Sequence, residues 1–272
     1  MSEQTDQTAA QTSAQTAAVV VPYRFTDRPE AMISFLEQLG LRTTIRRGGY
    51  AVLAGRSGAV AVHPVMTSEV GRRQTSLNLD VPDVVALVDA LGRDGVEGTW
   101  WDESWGRQAQ LAGPTGLVGV NAEMDDFHGY QTFDDRPPGT GDDAAGPVDV
   151  VSVVFTTDFD ALTGFFGRLG FAPGVGEADG WRPLRGGPGR GTIGLHAAER
   201  DGLDSNGYLT AALSFETAEP LDRLAARLRA AGHPVKECTA GTVPPTAILA
   251  VTDPDGERIE VHPAPEVRGQ NG

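Results

Sequence analysis

Apolar residues recur at i, i+3, i+4 and i+7 in four places along the chain, a spacing that predicts four helices with one buried stripe each. The stripes are Met32, Phe35, Leu36, Leu39; Val84, Leu87, Val88, Leu91; Leu162, Phe165, Phe166, Leu169; and Leu221, Leu224, Ala225, Leu228. A β-like run precedes each stripe: "VVVPYRF", "TSLNLDV", "VDVVSVVF" and "TAALSFE". A glycine and shorter β-like runs follow it, closing on "GAVAVHPV", "GLVGVNAE", "GTIGLHAA" and "ERIEVHPA". Each unit is thus a strand, a helix and about three more strands. Asp27 with Glu30 forms a capping-box-like pair at the first helix, and Asp158 or Thr157 suits the N-cap of the third.

The units are related in pairs. Units one and three share "LEQLGL" (36–41) and "FGRLGF" (166–171), and units two and four share the turns "GPTG" (113–116) and "DPDG" (253–256). The chain therefore reads as a duplication of a duplication. Residues 125–147, rich in Gly, Pro and Asp, form the expected linker between halves at 19–124 and 148–265. Residues 1–18 and 266–272 are expected to be tails, the first lacking the basic and apolar regions of a signal peptide or anchor.

Alternation assigns faces to the strands. In "TSLNLDV", Leu77, Leu79 and Val81 suit packing on a helix, while Ser76, Asn78 and Asp80 face the other way. In "TAALSFE", Leu213 and Phe215 do the packing and leave Ala212, Ser214 and Glu216 for the opposite face.

With four units in this order, the closing strand "DPDGERIEV", the run "ESWGRQAQLAGPTG" and the entries "YRFTDRPEAM" and "VVFTTDFDAL", the chain resembles the vicinal oxygen chelate superfamily of glyoxalases, bleomycin-resistance proteins and extradiol dioxygenases. The resemblance implies an α+β fold of four βαβββ modules in two tandem glyoxalase-like domains. Their mixed sheets would curve into cups, with helices on the convex side and ligand in the concavity.

Metal-dependent relatives take ligands from the first and last strands of the modules. Carried over, those places hold Val20, Ser76, Val151 and Ala212, then Ala61, Val120, Gly194 and Glu260. Only the glutamate binds a divalent ion well, and a catalytic site needs about three protein ligands. The expectation is therefore no metal and no cofactor. A histidine two residues beyond the glutamate position in three closing strands (His63, His196, His262) leaves a second option open. In it, His196, Glu260 and His262 form a two-histidine, one-carboxylate set for iron or zinc in a lyase or dioxygenase.

Trp100, Trp101 and Trp105 fall together in "GTWWDESWGR", and flat rings of this kind hold planar or cationic ligands. Alternation puts Trp100 and Trp101 on opposite faces, so at least one is expected in the core. The segment "SWGR" resembles a groove-side segment of the bleomycin-resistance branch, which makes Trp105 and Arg107 pocket candidates. Trp181 and Tyr50 stand on equivalent strands and are candidates for lining a cup. Arg24, sharing a face with Val20 and Pro22, is a candidate partner for a ligand carboxylate. Asn78, Ser214, His63 and His196 complete the candidate ligand-binding set.

Charge and composition narrow the partners. Over 272 residues the net charge is -15, which disfavours nucleic acid and anionic membranes. Cys238 is the lone cysteine, which excludes an internal disulfide and fits a reducing, cytoplasmic setting. The functional expectation is a protein that binds a small organic molecule, an antibiotic or natural product, between modules. Tandem fusion predicts a monomer that acts as a pseudo-dimer.

Overall fold

Each apolar stripe winds into a helix: α1 (Pro29–Leu39), α2 (Val84–Arg93), α3 (Phe159–Arg168) and α4 (Leu221–Ala230). The computed structural model describes residues 17–65, 74–122, 126–133, 148–241 and 245–265. The expected tails and linker lie largely outside these residues. Stripe residues form the buried faces: Met32, Phe35, Leu36 and Leu39 of α1 are fully enclosed, as are Leu224, Ala225 and Leu228 of α4. Asp83 and Asp158 cap α2 and α3 by accepting the amide hydrogens of Ala86 and Ala161, both at 2.9 Å. The expected Asp27 and Glu30 capping pair does not form. Arg28 is the N-cap residue, Pro29 opens α1 without a donor to satisfy, and Glu30 pairs with Arg46.

The first half contains β1 (Val19–Val20), β2 (Tyr23–Thr26), β3 (Arg42–Arg47), β4 (Tyr50–Ala54), β5 (Ala59–Pro64) and β6 (Thr75–Ser76). It continues with β7 (Asn78–Val81), β8 (Gly98–Glu103), β9 (Gly106–Ala112), β10 (Leu117–Ala122) and β11 (Gln131–Thr132). The second half contains β12 (Val148–Thr156), β13 (Ala172–Pro173), β14 (Trp181–Arg185) and β15 (Thr192–Ala197). After these come β16 (Ala212–Thr217), β17 (Val235–Ala240), β18 (Thr246–Thr252) and β19 (Arg258–Pro263). In every module the first strand pairs in parallel with the last: β2 with β5, β7 with β10, β12 with β15 and β16 with β19. First strands of neighbouring modules pair antiparallel, so each half is a pair of βαβββ modules joined along their first strands.

The second half makes one sheet of eight strands, β13-β14-β15-β12-β16-β19-β18-β17. The equivalent sheet of the first half is split into β1-β7-β10-β9-β8 and β11-β3-β4-β5-β2-β6. The break falls at Val21 and Pro22 on one strand, where proline has no amide hydrogen for the ladder, and at Leu77 on the other. The Leu77 amide instead donates to the Leu209 carbonyl of the second half at 2.9 Å. The Thr75 and Leu117 carbonyls in turn accept the amides of Ala211 and Leu209, both at 2.9 Å, so residues 207–211 are stitched into the first half's sheet.

The cores cross between halves as well. Helices α2 and α3 share one apolar cluster with Leu79, Val120, Leu195 and Leu209, while α1 and α4 share another with Val62, Val150, Phe215 and Val261. Each buried side chain of this size contributes roughly 1.5–3 kcal/mol, so neither half completes its packing alone. Among the described residues no helix is long and apolar enough to cross a membrane.

Candidate ligand-binding cavity

The concave face of the first half encloses a cavity of 350 Å³. One wall is aromatic and comes from module one: Tyr23 and Phe25 on β2, with His63 on the adjoining β5. The His63 ring lies 5.0 Å from Phe25 and 6.3 Å from Tyr23, nearly parallel to the latter. His63 Nδ1 is 2.8 Å from the Pro64 carbonyl, which only accepts, so Nδ1 carries a hydrogen and donates it there. Behind this wall the Tyr50 hydroxyl donates to that of Tyr23 at 3.3 Å. Burial pushes the Tyr23 and Tyr50 phenols well above their ordinary range, and Asp80 adds to both shifts, so both stay protonated.

The opposite wall is amide-rich. Ser76 and Asn78 come from the paired first strand of module two, Gln108 from β9 and Asn121 from β10. Asn78 lies against Gly119: a Cβ on that glycine would stand 2.0 Å from the Asn78 Oδ1. Asn121 is 4% exposed, and its Nδ2 has no hydrogen-bond partner among the described residues. Trp101 and Trp105 close the rim. Tyr130 anchors that hairpin by donating from its hydroxyl to the Trp105 carbonyl at 3.0 Å.

The remaining side belongs to the second half, through Asp204, Asn206 and Tyr208. Asp204 Oδ1 accepts the amides of Asn206 and Tyr208 at 2.8 and 2.9 Å and so shapes the turn. The Tyr208 hydroxyl donates to Gln110 Oε1 at 2.9 Å, clamping it to the first half.

Of the residues singled out from sequence, Trp105, Asn78 and His63 line the cavity, and Tyr50 supports it from behind. Arg107 does not. It pairs with Asp102 at 2.7 Å and covers the Trp100 ring at 4.9 Å on the outer face. Neither Trp100 nor Trp101 is core: Trp100 is exposed and Trp101 is half-buried at the rim. Arg24 also points away from the cup, because Val20 and Arg24 share the helix-side face. Arg24 is buried against Asp253 and Asp255 of the second half, at 2.6 and 3.1 Å. The cup face of that strand is Val21, Tyr23 and Phe25. Tyr23, Phe25, Trp101, Gln108 and Asn121 were missed, and for the last two the signal was the alternation of "GRQAQLA" and "GLVGVNA".

The same register corrects the carried-over metal places, since Val20 and Val120 are helix-side core and their neighbours Val21 and Gly119 face the cup. In the second half, Trp181 meets His196 edge-on at 6.4 Å across β14 and β15, and neither they nor Ser214 line the first half's cavity. Trp181 covers Gly194, where a Cβ would stand 2.0 Å from the indole. Ser214 donates to the Glu260 carbonyl at 2.8 Å, and exposed His196 contacts the Ala197 carbonyl at 2.9 Å. The set His196, Glu260 and His262 does not converge. Strands β12 and β16 separate β15 from β19, about 14 Å across the sheet. Glu260 is held instead by Arg258 at 2.7 Å and His262 at 3.3 Å.

No protein-family profile and no curated protein sequence matches the chain. Solved structures do. A Mn(II)-bound glyoxalase from Novosphingobium aromaticivorans superposes with a TM-score of 0.57 at 14% identity, over 90% of this chain and 80% of its own. The 2,3-dioxygenase LapB from Pseudomonas sp. KL28 gives 0.57 at 17% identity, over 93% and 94%. The chain has the vicinal oxygen chelate fold. Homoprotocatechuate 2,3-dioxygenase from Brevibacterium fuscum, in complex with 3,4-dihydroxyphenylacetate, shares this fold with a TM-score of 0.58 at 13% identity, over 93% and 81%.

The glyoxalase corrects the expectation of no cofactor: a protein of this fold binds Mn(II), so a divalent metal is the group to which the vicinal oxygen chelate fold points. The described residues do not fit such an ion. Among them no group of three or more His, Cys, Asp or Glu side chains is placed to hold one. By strand register Gly119 stands where Glu260 stands in the second half, and the Asn78 carboxamide lies over it.

Proposed function

We propose that the protein binds a small organic molecule, of the antibiotic or natural-product kind, in the cavity of its first half. In support of this, a carboxamide lies over Gly119 in the first half and an indole over Gly194 in the second, while Glu260 is tied to Arg258 and His262. The observation that carries this reading is the composition of the cavity, an aromatic wall facing a carboxamide wall beneath two tryptophans. Its volume sits within the range of about 300–1,000 Å³ typical of small-molecule sites. Aromatic faces supply stacking area at little entropic cost, and amides orient a ligand by its edges. The lone cysteine and the tandem architecture extend the proposal to a cytoplasmic monomer, which a solution mass of a dimer would overturn.

The test is titration of tryptophan fluorescence with planar antibiotics and related aromatic compounds. Binding is expected to quench Trp101 and Trp105 and to be lost in an Asn78→Phe variant that fills the cavity. Full affinity retained in that folded variant would remove the site from consideration.

A further inference from the structure

Resting on that reading, the cavity also specifies the charge of what it holds. We infer that its ligand carries a cationic ammonium head on an apolar body, held against the Asp204 carboxylate among the aromatic side chains of the site. Three features lead there.

The first is a spare carboxylate oxygen. Asp204 lines the cavity from the second half, and its Oδ1 accepts the amides of Asn206 and Tyr208. Its Oδ2 has no partner among the described residues and, unlike the Asn121 Nδ2, is not sealed from solvent. The two amides fix the carboxylate in advance, so little order is lost when a ligand meets it.

The second is the sign of the field. Among the described residues that line the cavity, none is lysine or arginine. Arg24, Arg47 and Arg107 on the surrounding strands are committed elsewhere, to Asp253, the Tyr130 ring and Asp102. Burial is the main cause that raises the lining phenols Tyr23 and Tyr208, and carboxylates add to it, Asp80 at Tyr23 and Asp204 at Tyr208. Both phenols thus sit in negative potential, which repels an anion and draws in a cation. The net charge of -15 extends that preference to the approach.

The third is ring orientation. Tyr23 and Phe25 lie at 53° to each other with centroids 6.4 Å apart, and Phe25 lies at 48° to His63. Tilted rings offer faces in several directions, which suits a rounded cationic group better than a flat slab. Trp101, Trp105 and Tyr208 add further rings around the same space. At 350 Å³ it has room for such a head and about two fused rings.

The experiment uses three probes that share a naphthylmethyl body and differ in the head: trimethylammonium, its uncharged isostere tert-butyl, and sulfonate. Equilibrium dialysis against the full chain at pH 8, above the ordinary imidazole range, gives each affinity. The ammonium is expected to bind roughly tenfold or more tighter than the sulfonate. Asp204→Asn keeps the Oδ1 acceptor that shapes the turn but removes the charge, and should weaken the ammonium roughly tenfold while leaving the tert-butyl probe unchanged. Trp105→Leu, at a rim position 42% exposed, should weaken the ammonium about threefold more than the tert-butyl probe and serves if Asp204→Asn fails to fold. An ammonium no tighter than the sulfonate, or one whose affinity in the folded variants moves no more than that of the tert-butyl probe, overturns the inference. If the probes are nonetheless lost in Asn78→Phe, the cavity stands as the site and only the ligand charge falls. Binding by none of the three overturns the inference outright, and the antibiotic titration then judges the cavity separately.

Discussion

Replacing Arg24 with alanine is the sharpest test of how the halves are held together. The guanidinium is 3% exposed, and the Asp253 and Asp255 side chains it meets are 0% exposed. Its Nη2 and Nε donate to one Asp253 oxygen at 2.6 and 3.1 Å, and Nη2 also lies 3.1 Å from Asp255. The latter contact lacks hydrogen-bond geometry, so it acts as charge on charge. Deleting the arginine leaves two enclosed carboxylates without their cation. Removing one partner of a buried pair costs about 3–5 kcal/mol, a large part of the roughly 5–15 kcal/mol that stabilises a domain. Arg56 and Asp149 provide the control, since that pair also bridges the halves but Arg56 is 38% exposed. Asp149 is only 10% exposed, so Arg56→Ala should cost less than Arg24→Ala but more than the roughly 0–1 kcal/mol of a fully exposed pair. Urea unfolding followed by tryptophan fluorescence and circular dichroism reads both variants, with the slope checked for constancy. If Arg24→Ala falls within about 1 kcal/mol of the parent, the reasoning about an uncompensated buried charge is wrong.

Burial is the main cause that raises the Asp255 carboxyl above its ordinary value, with Thr26 and Arg24 opposing it. A raised folded value means a contribution present in acid that is lost as pH rises through it, so the parent should lose stability relative to Asp255→Asn as pH rises above the ordinary carboxylate value of about 4. The opposite slope in paired denaturation curves would exclude this. Gly119→Ala forces the Asn78 side chain out of its place and should cost about 1–3 kcal/mol, a penalty that disappears in an Asn78→Ala background. Equal costs in both backgrounds, measured by thermal unfolding, would show that the two residues do not collide. Tyr130→Phe removes the anchor on the Trp105 carbonyl, costs about 0.5–1.5 kcal/mol and should shift tryptophan emission to the red. Unchanged emission and stability would show that the hairpin is held elsewhere.

Legibility differed from strand to strand for a physical reason. "TSLNLDV" alternates, so Ser76 and Asn78 were correctly set opposite Leu77 and Leu79, because one face is dry and the other lines a cavity. "VVVPYRF" is apolar on both faces, since Val20 packs on the helix side and Val21 and Tyr23 pack in the cup. Without alternation the register is open by one residue, and that one residue turned Arg24 toward the wrong face. The histidines of the closing strands recur because the modules recur, yet His196 and His262 sit on strands two apart from contact.

By itself the sequence determined four helices, the strands around them and their order, because each depends on the spacing of apolar residues within about one turn or one pleat. The partnerships between modules were decided only in three dimensions. The crossing of cores between halves, the insertion of Leu209 beside Leu77 and the delivery of Asp204, Asn206 and Tyr208 to the first half's cavity all join residues far apart along the chain. Local periodicity carries no record of such contacts, since burying an apolar face is equally favourable against any surface of matching shape.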